Sequence, residues 1–135
     1  MFKEILKTIE AYNRILVHGH IRPDGDCYGS QFGLAEIIKE NYPEKDVHVV
    51  GDTSDFVSFL GTPEKATITD EMYKGALAIV VDCGSADRVS DQRYQTADKV
   101  IKIDHHIAQV HYGDIVYVEE ESPACCQIIT KFAKE

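Results

Sequence analysis

Apolar positions along the chain switch between helical and strand spacing. Phe2, Ile5, Leu6 and Ile9 recur every three to four residues and predict a leading helix. The run RILV at residues 14–17 predicts a short buried strand directly after it. Residues 18–30 (HGHIRPDGDCYGS) hold one proline and three glycines and read as a loop. Helical periodicity then returns over residues 31–41 through Phe32, Leu34, Ala35, Ile37 and Ile38. A second strand is expected at residues 46–51 (DVHVVG). Residues 53–74 are weakly patterned, with a short helical piece expected at 56–60 and a turn at 61–63. The clearest buried strand is ALAIVV at residues 76–81, which runs into Asp82, and VIKI at 100–103 runs into Asp104. Residues 115–118 predict an edge strand, and Ser122 and Pro123 suit the N-cap and first position of a closing helix over residues 124–134.

This alternation of strands and helices predicts an α/β fold, a mostly parallel sheet with helices on both faces. In such sheets ligands sit outside the carboxyl ends of the strands, where Asp82 and Asp104 are delivered.

Composition narrows the function. With 44% hydrophobic and 27% charged residues over 135 positions, the chain suits one domain with its own core. No apolar run approaches the roughly 18 residues of a membrane span, and the first residues lack the pattern of a signal peptide, so a cytoplasmic enzyme with no membrane partner is expected. The net charge of −9, from 23 acidic and 14 basic side chains, would repel a long polyphosphate, so long duplex nucleic acid is not expected as a partner. Cys27, Cys83, Cys125 and Cys126 form no CxxC motif and read as small buried thiols rather than disulfides or a zinc knuckle.

Asp and His concentrate in three places, which the predicted topology brings to one sheet edge: His20 with Asp24 and Asp26, then Asp82, then Asp104, His105 and His106. Each has a plain structural reading. Asp24-Gly-Asp26 is a common turn sequence, and Asp82 could cap a loop. The His105-His106 doublet has no packing reason to be there. A pocket of carboxylates and imidazoles without thiolates suits Mn²⁺ or Mg²⁺, and two such ions about 3.5–4 Å apart can drive in-line displacement at phosphorus. His18 fits a core or supporting histidine that needs only a hydrogen-bond partner. His48 falls mid-strand with no assigned chemistry, and His111 is at most a minor substrate contact. Gly29 and Ser30, at the expected start of the second helix, could offer backbone N–H groups to a phosphate or simply form a capping turn.

The motifs HIRPDGDCYGSQFGLAEII (residues 20–38), AIVVDCGSADRV (78–89) and VIKIDHH (100–106) resemble, in order and spacing, the DHH phosphoesterase family. The match is nearest to the branch of small oligoribonucleases and 3′-phosphoadenosine 5′-phosphate (pAp) phosphatases. The resemblance implies that His20, Asp24 and Asp82 hold one ion and that Asp26, Asp82 and His105 hold the other, with Asp82 as the bridge. Mn²⁺ is the implied metal, with Mg²⁺ or Co²⁺ as substitutes. His106 would contact the substrate phosphate, and Asp104 would orient one of the two histidines. The implied reaction is attack of a metal-bound hydroxide on a short oligoribonucleotide or nucleotide phosphate. Other hydrolases of the family (cyclic-dinucleotide phosphodiesterases, pyrophosphatases and single-strand exonucleases) and a non-catalytic metal- or nucleotide-binding module are the alternatives. The resemblance also allows a homodimer of the full-length protein. A further metal-binding aspartate and a substrate-binding domain normally follow in the family. No aspartate occurs after Asp114, so residues 1–135 are expected to be the N-terminal part of a longer enzyme.

Overall fold

A computed structural model describes residues 2–21, 23–52, 63–64, 67–105, 112–119 and 124–133. The expected helical piece at 56–60, most of the turn at 61–63, Ser122, Pro123, His106 and His111 lie outside the described residues. The α-helices are α1 (Phe2–Ala11), α2 (Gly25–Asn41) and α3 (Cys125–Ala133). The strands are β1 (Arg14–His18), β2 (Asp46–Val50), β3 (Leu77–Val81), β4 (Lys99–Asp104) and β5 (Ile115–Val118). They form one sheet in the order β2-β1-β3-β4-β5, and every pairing is parallel. The expected edge strand at 115–118 is β5.

β3 lies at the centre, and all five of its residues are buried. A continuous apolar run suits a strand covered on both faces, because neither face then needs polar side chains. The two faces are covered by unlike means. On one, Ile15, Val17, Ile79, Val81, Ile101 and Ile103 pack against Ile5 and Ile9 of α1, Leu34 and Ile38 of α2, and Ile128, Ile129 and Phe132 of α3. On the other, Leu16, Val50, Ala78, Val80 and Val100 lie under Ile68, Tyr73, Val89 and Tyr94. Two of these side chains, Tyr73 and Tyr94, come from short 3₁₀ helices at Asp70–Tyr73 and Gln92–Thr96. The expectation of helices on both faces is therefore refined: among the described residues all three α-helices share one face. Such 3₁₀ turns are too short for a periodicity to show in sequence.

One of the expected boundaries moved by more than a residue. α2 starts at Gly25, six residues before the predicted position. Asp24 is its N-cap, with extended backbone and Oδ1 accepting from the Cys27 N–H at 2.9 Å, which offsets the poor helix propensity of Gly25 and Asp26. Gln31, buried on α2, donates to the carbonyls of Val17 (3.2 Å) and Val50 (2.9 Å), tying the helix to the ends of β1 and β2. Among the described residues no helix is long and apolar enough to cross a membrane.

Candidate metal centre at the carboxyl edge of the sheet

In this strand order the chain leaves β1 towards β2 and returns to β3 on the other side, so the topological switch point lies between β1 and β3. Past the end of β1, residues 19–21 pair with the segment after β3. The Ile21 N–H donates to Arg88 O at 2.8 Å and the Ser90 N–H to Gly19 O at 3.0 Å. These bonds bring His20 to the Asp82 side of the crevice. Asp82 follows β3, is 2% exposed and has φ of 56°. Among the described residues it alone, apart from glycines, has positive φ, a conformation that costs free energy and clusters at functional sites. Its N–H donates to Ile103 O at 3.0 Å. The turn beyond it is held by the Tyr112 hydroxyl on Cys83 O at 2.7 Å and by the buried Lys102 Nζ on Gly84 O at 3.3 Å.

Four predicted residues converge on this turn. His105 Nε2 lies 3.1 Å from Asp82 Oδ1 and 3.3 Å from Asp26 Oδ2, and His20 Nε2 lies 3.5 Å from Asp82 Oδ2. His20 Nδ1 sits 2.6 Å from its neighbour's carbonyl, Ile21 O. With the proton on Nδ1, that bond fixes the ring so that Nε2 faces the carboxylates, where it can bind a cation or carry a second proton. Asp26 Oδ2 also accepts from the Cys125 N–H at 2.9 Å, which places the start of α3 against the same cluster. Asp82 thus presents one oxygen to each histidine. The donor atoms fall into two compact groups, Asp26 with Asp82 and His105, and His20 with Cys27 and Asp82, each set within 4.8 Å.

Asp24 sits at the rim. Its Oδ1 is 3.9 Å from His20 Nε2 while also capping α2, and its side chain is 67% exposed. Cys27, not expected near this cluster, places its thiol beside His20 and Asp82. The reason is the early start of α2, which folds Cys27 inward one helical turn after Asp24. The Asp24-x-x-Cys27 spacing next to His20 was the signal available. The expected placement of Gly29 and Ser30 at the start of the second helix is corrected. They lie in the second turn of α2, where amides are spent on the helix ladder, and Ser30 is fully buried. Asp104 closes β4 and is fully buried, with its carbonyl accepting from the Glu119 N–H at 3.0 Å.

Electrostatics favour a cation here. Burial pushes the Asp82 carboxyl up, and Asp26 and Asp24 add to that, outweighing the downward pull of His20. Conversely the Asp82 carboxylate, followed by Cys27, drives the His20 imidazole up to about 11. Both shifts express uncompensated negative charge in a confined space, which divalent cations would neutralise. Two imidazoles and several carboxylates fit borderline to hard divalent ions.

His18 differs. It is fully buried on the opposite face, 2.9 Å from the Tyr73 hydroxyl, and burial lowers it to about 4. It is a core histidine with a partner, as expected. His48 pairs with Asp46 at 2.9 Å and Glu64 at 2.8 Å, away from the crevice.

A family model described as the DHH family, N-terminal domain, matches residues 14–135. The chain belongs to the DHH family. It is similar to the probable bifunctional oligoribonuclease and PAP phosphatase NrnA of Streptococcus mutans, with 45% identity over 132 residues, covering 98% of this chain and 42% of that protein. It is also 42% identical over 129 residues to the bifunctional oligoribonuclease and PAP phosphatase NrnA of Bacillus subtilis, covering 96% of this chain and 41% of the relative. The chain thus spans about two fifths of the length of these curated relatives. A crystal structure of an exopolyphosphatase-related protein from Bacteroides fragilis superimposes with a TM-score of 0.82 at 21% identity, covering 97% of this chain and 42% of that one. That likeness supports the α/β fold of the DHH domain.

Proposed function

We propose that this DHH domain is the metal-holding part of a phosphoesterase that hydrolyses short oligoribonucleotides, pAp, or both, with two divalent cations, Mn²⁺ foremost. The observation that carries the reading is Asp82, whose two oxygens lie 3.1 Å from His105 Nε2 and 3.5 Å from His20 Nε2. A buried carboxylate shared between two imidazole-bearing donor groups is what a bridged cation pair requires. Bound there, the pair would supply Lewis acidity to a phosphate ester and a water acidic enough to react at neutral pH.

His105 and Asp26 hold one position, His20 holds the other with Asp24 at its rim, and Asp82 serves both. The Ile21 carbonyl fixes the His20 ring, and the Cys125 amide fixes the Asp26 carboxylate. Asp104 is assigned to orienting the histidine doublet. His106, outside the described residues, is assigned to the substrate phosphate. The names of the relatives from Streptococcus mutans and Bacillus subtilis support the substrate class. The cytoplasm is the proposed setting, where the free thiols of Cys27, Cys83 and Cys125 would stay reduced.

The test is titration of the chain with Mn²⁺ followed by incubation with a dinucleotide or pAp. Two bound ions and release of a mononucleotide are expected. Binding without turnover would support the non-catalytic holding role instead, and no binding would overturn the metal centre.

A further inference from the structure

We propose that Cys27 is a metal ligand, making the cation position at His20 a mixed imidazole, thiolate and carboxylate site that accepts thiophilic divalent ions such as Zn²⁺, Co²⁺ or Cd²⁺. The proposal rests on the reading of the crevice as a cation centre and adds the chemistry of its first position. Cys27 Sγ, a His20 imidazole nitrogen and an Asp82 oxygen all lie within 4.8 Å of one another, close enough to converge on one ion. Asp24, expected as the third donor, is less well placed, because Oδ1 is engaged with the Cys27 amide and stands 3.9 Å from His20 Nε2.

The thiol is held towards the crevice by its surroundings. Cys27 is fully buried, and Sγ fits against Gly19, where an added Cβ would come within 2.5 Å of it. Its described hydrogen bond, to Gln31 Oε1 at 3.5 Å, is a weak sulfur contact that a metal bond replaces with ease. On ligation the S–H bond breaks, the proton leaves to solvent and the sulfur–metal bond forms. Soft thiolate shifts selection from Mn²⁺ and Mg²⁺ towards Zn²⁺ and its neighbours, while the Asp26, Asp82 and His105 position keeps oxygen and nitrogen donors only.

Cobalt separates the possibilities, because its visible bands report binding and a near-ultraviolet sulfur-to-cobalt band reports thiolate ligation. Titration of the chain with Co²⁺ is expected to produce both. Cys27→Ala and Cys27→Ser should lose the sulfur band and keep the visible bands. Cys125→Ala, the control for the thiol at the start of α3, should keep both. Circular dichroism confirms that each variant is folded, and the serine variant preserves side-chain volume should alanine unfold the chain. Visible bands without a sulfur band in the unmodified chain, or a sulfur band surviving in both Cys27 variants, would overturn the thiolate ligand and leave the cation centre standing. Absence of any Co²⁺ bands together with absence of Mn²⁺ binding would remove the centre itself.

Discussion

Acidification should destabilise the fold through His18, by an amount set by its burial. The imidazole is fully enclosed, with the Tyr73 hydroxyl on Nε2 and the rings of Tyr73 and Tyr94 at 5.7 and 6.1 Å between centroids. Burial lowers it from 6.5 to about 4, Asp91 opposes the shift, and Arg93 adds to it. Below the unfolded value the unfolded chain takes up a proton that the folded chain refuses. The stability that His18 contributes is thus present above pH 6.5 and is lost as pH falls towards 4. At 1.36 kcal/mol per unit, the full loss is about 3 kcal/mol, and about 2 kcal/mol is lost between roughly pH 7.5 and pH 5. Carboxylates elsewhere titrate over the same range, so the measured quantity is a difference. Urea denaturation of the chain and of His18→Gln, both with chelator, would be compared at several pH values. The variant is expected to be less stable near neutrality and to close the gap by about 2 kcal/mol at about pH 5. A gap that stays constant across that range would refute the claim that His18 is buried in its neutral form.

Asp82→Asn should retain the fold, since asparagine tolerates positive φ, while abolishing Mn²⁺ binding seen by electron paramagnetic resonance. Asp82→Ala should lose the metal and a further 1–2 kcal/mol or so in thermal denaturation. The same substitution should remove most hydrolysis of a dinucleotide or pAp under the proposed function. Gly19→Ala would press a Cβ to 2.5 Å from both Cys27 Sγ and Gln31 Oε1. Because Gln31 is locked to β1 and β2, a loss of about 1–3 kcal/mol is expected, with weaker metal binding by calorimetry. Arg93→Ala removes a two-pronged pair to the 6%-exposed Asp91, with bonds of 3.0 and 2.7 Å, and the 2.6 Å bond to Ile68 O. A loss of about 2 kcal/mol in urea unfolding is expected, and an unchanged midpoint would show that water replaces the guanidinium without cost.

Strand identity was readable because β3 and β4 are apolar runs that end abruptly in Asp82 and Asp104, and such runs need no distant partner to declare themselves. The motifs around His20, Asp82 and His105 likewise announced a shared crevice, since parallel strands must deliver their ends to one edge. The start of α2 was hidden. Pro23, Gly25 and the aspartates look like a turn locally, and the helix extends through them because Asp24 caps it and the first turn packs against Gly19.

Contacts between segments far apart in sequence settled the rest. Asp26 meets the amide of Cys125, 99 residues away. The sharing of Asp82 between two imidazoles depends on a left-handed backbone at one residue, held by the Ile103 carbonyl. Cys27 comes within reach of His20 and Asp82 only because β1 and α2 close on each other. Local pattern encodes which residues are apolar and which carry chemistry, since spacing and side-chain type are properties of the chain itself. Distances between donors depend on how the sheet and helices pack, and that geometry decides which atoms can meet on one ion.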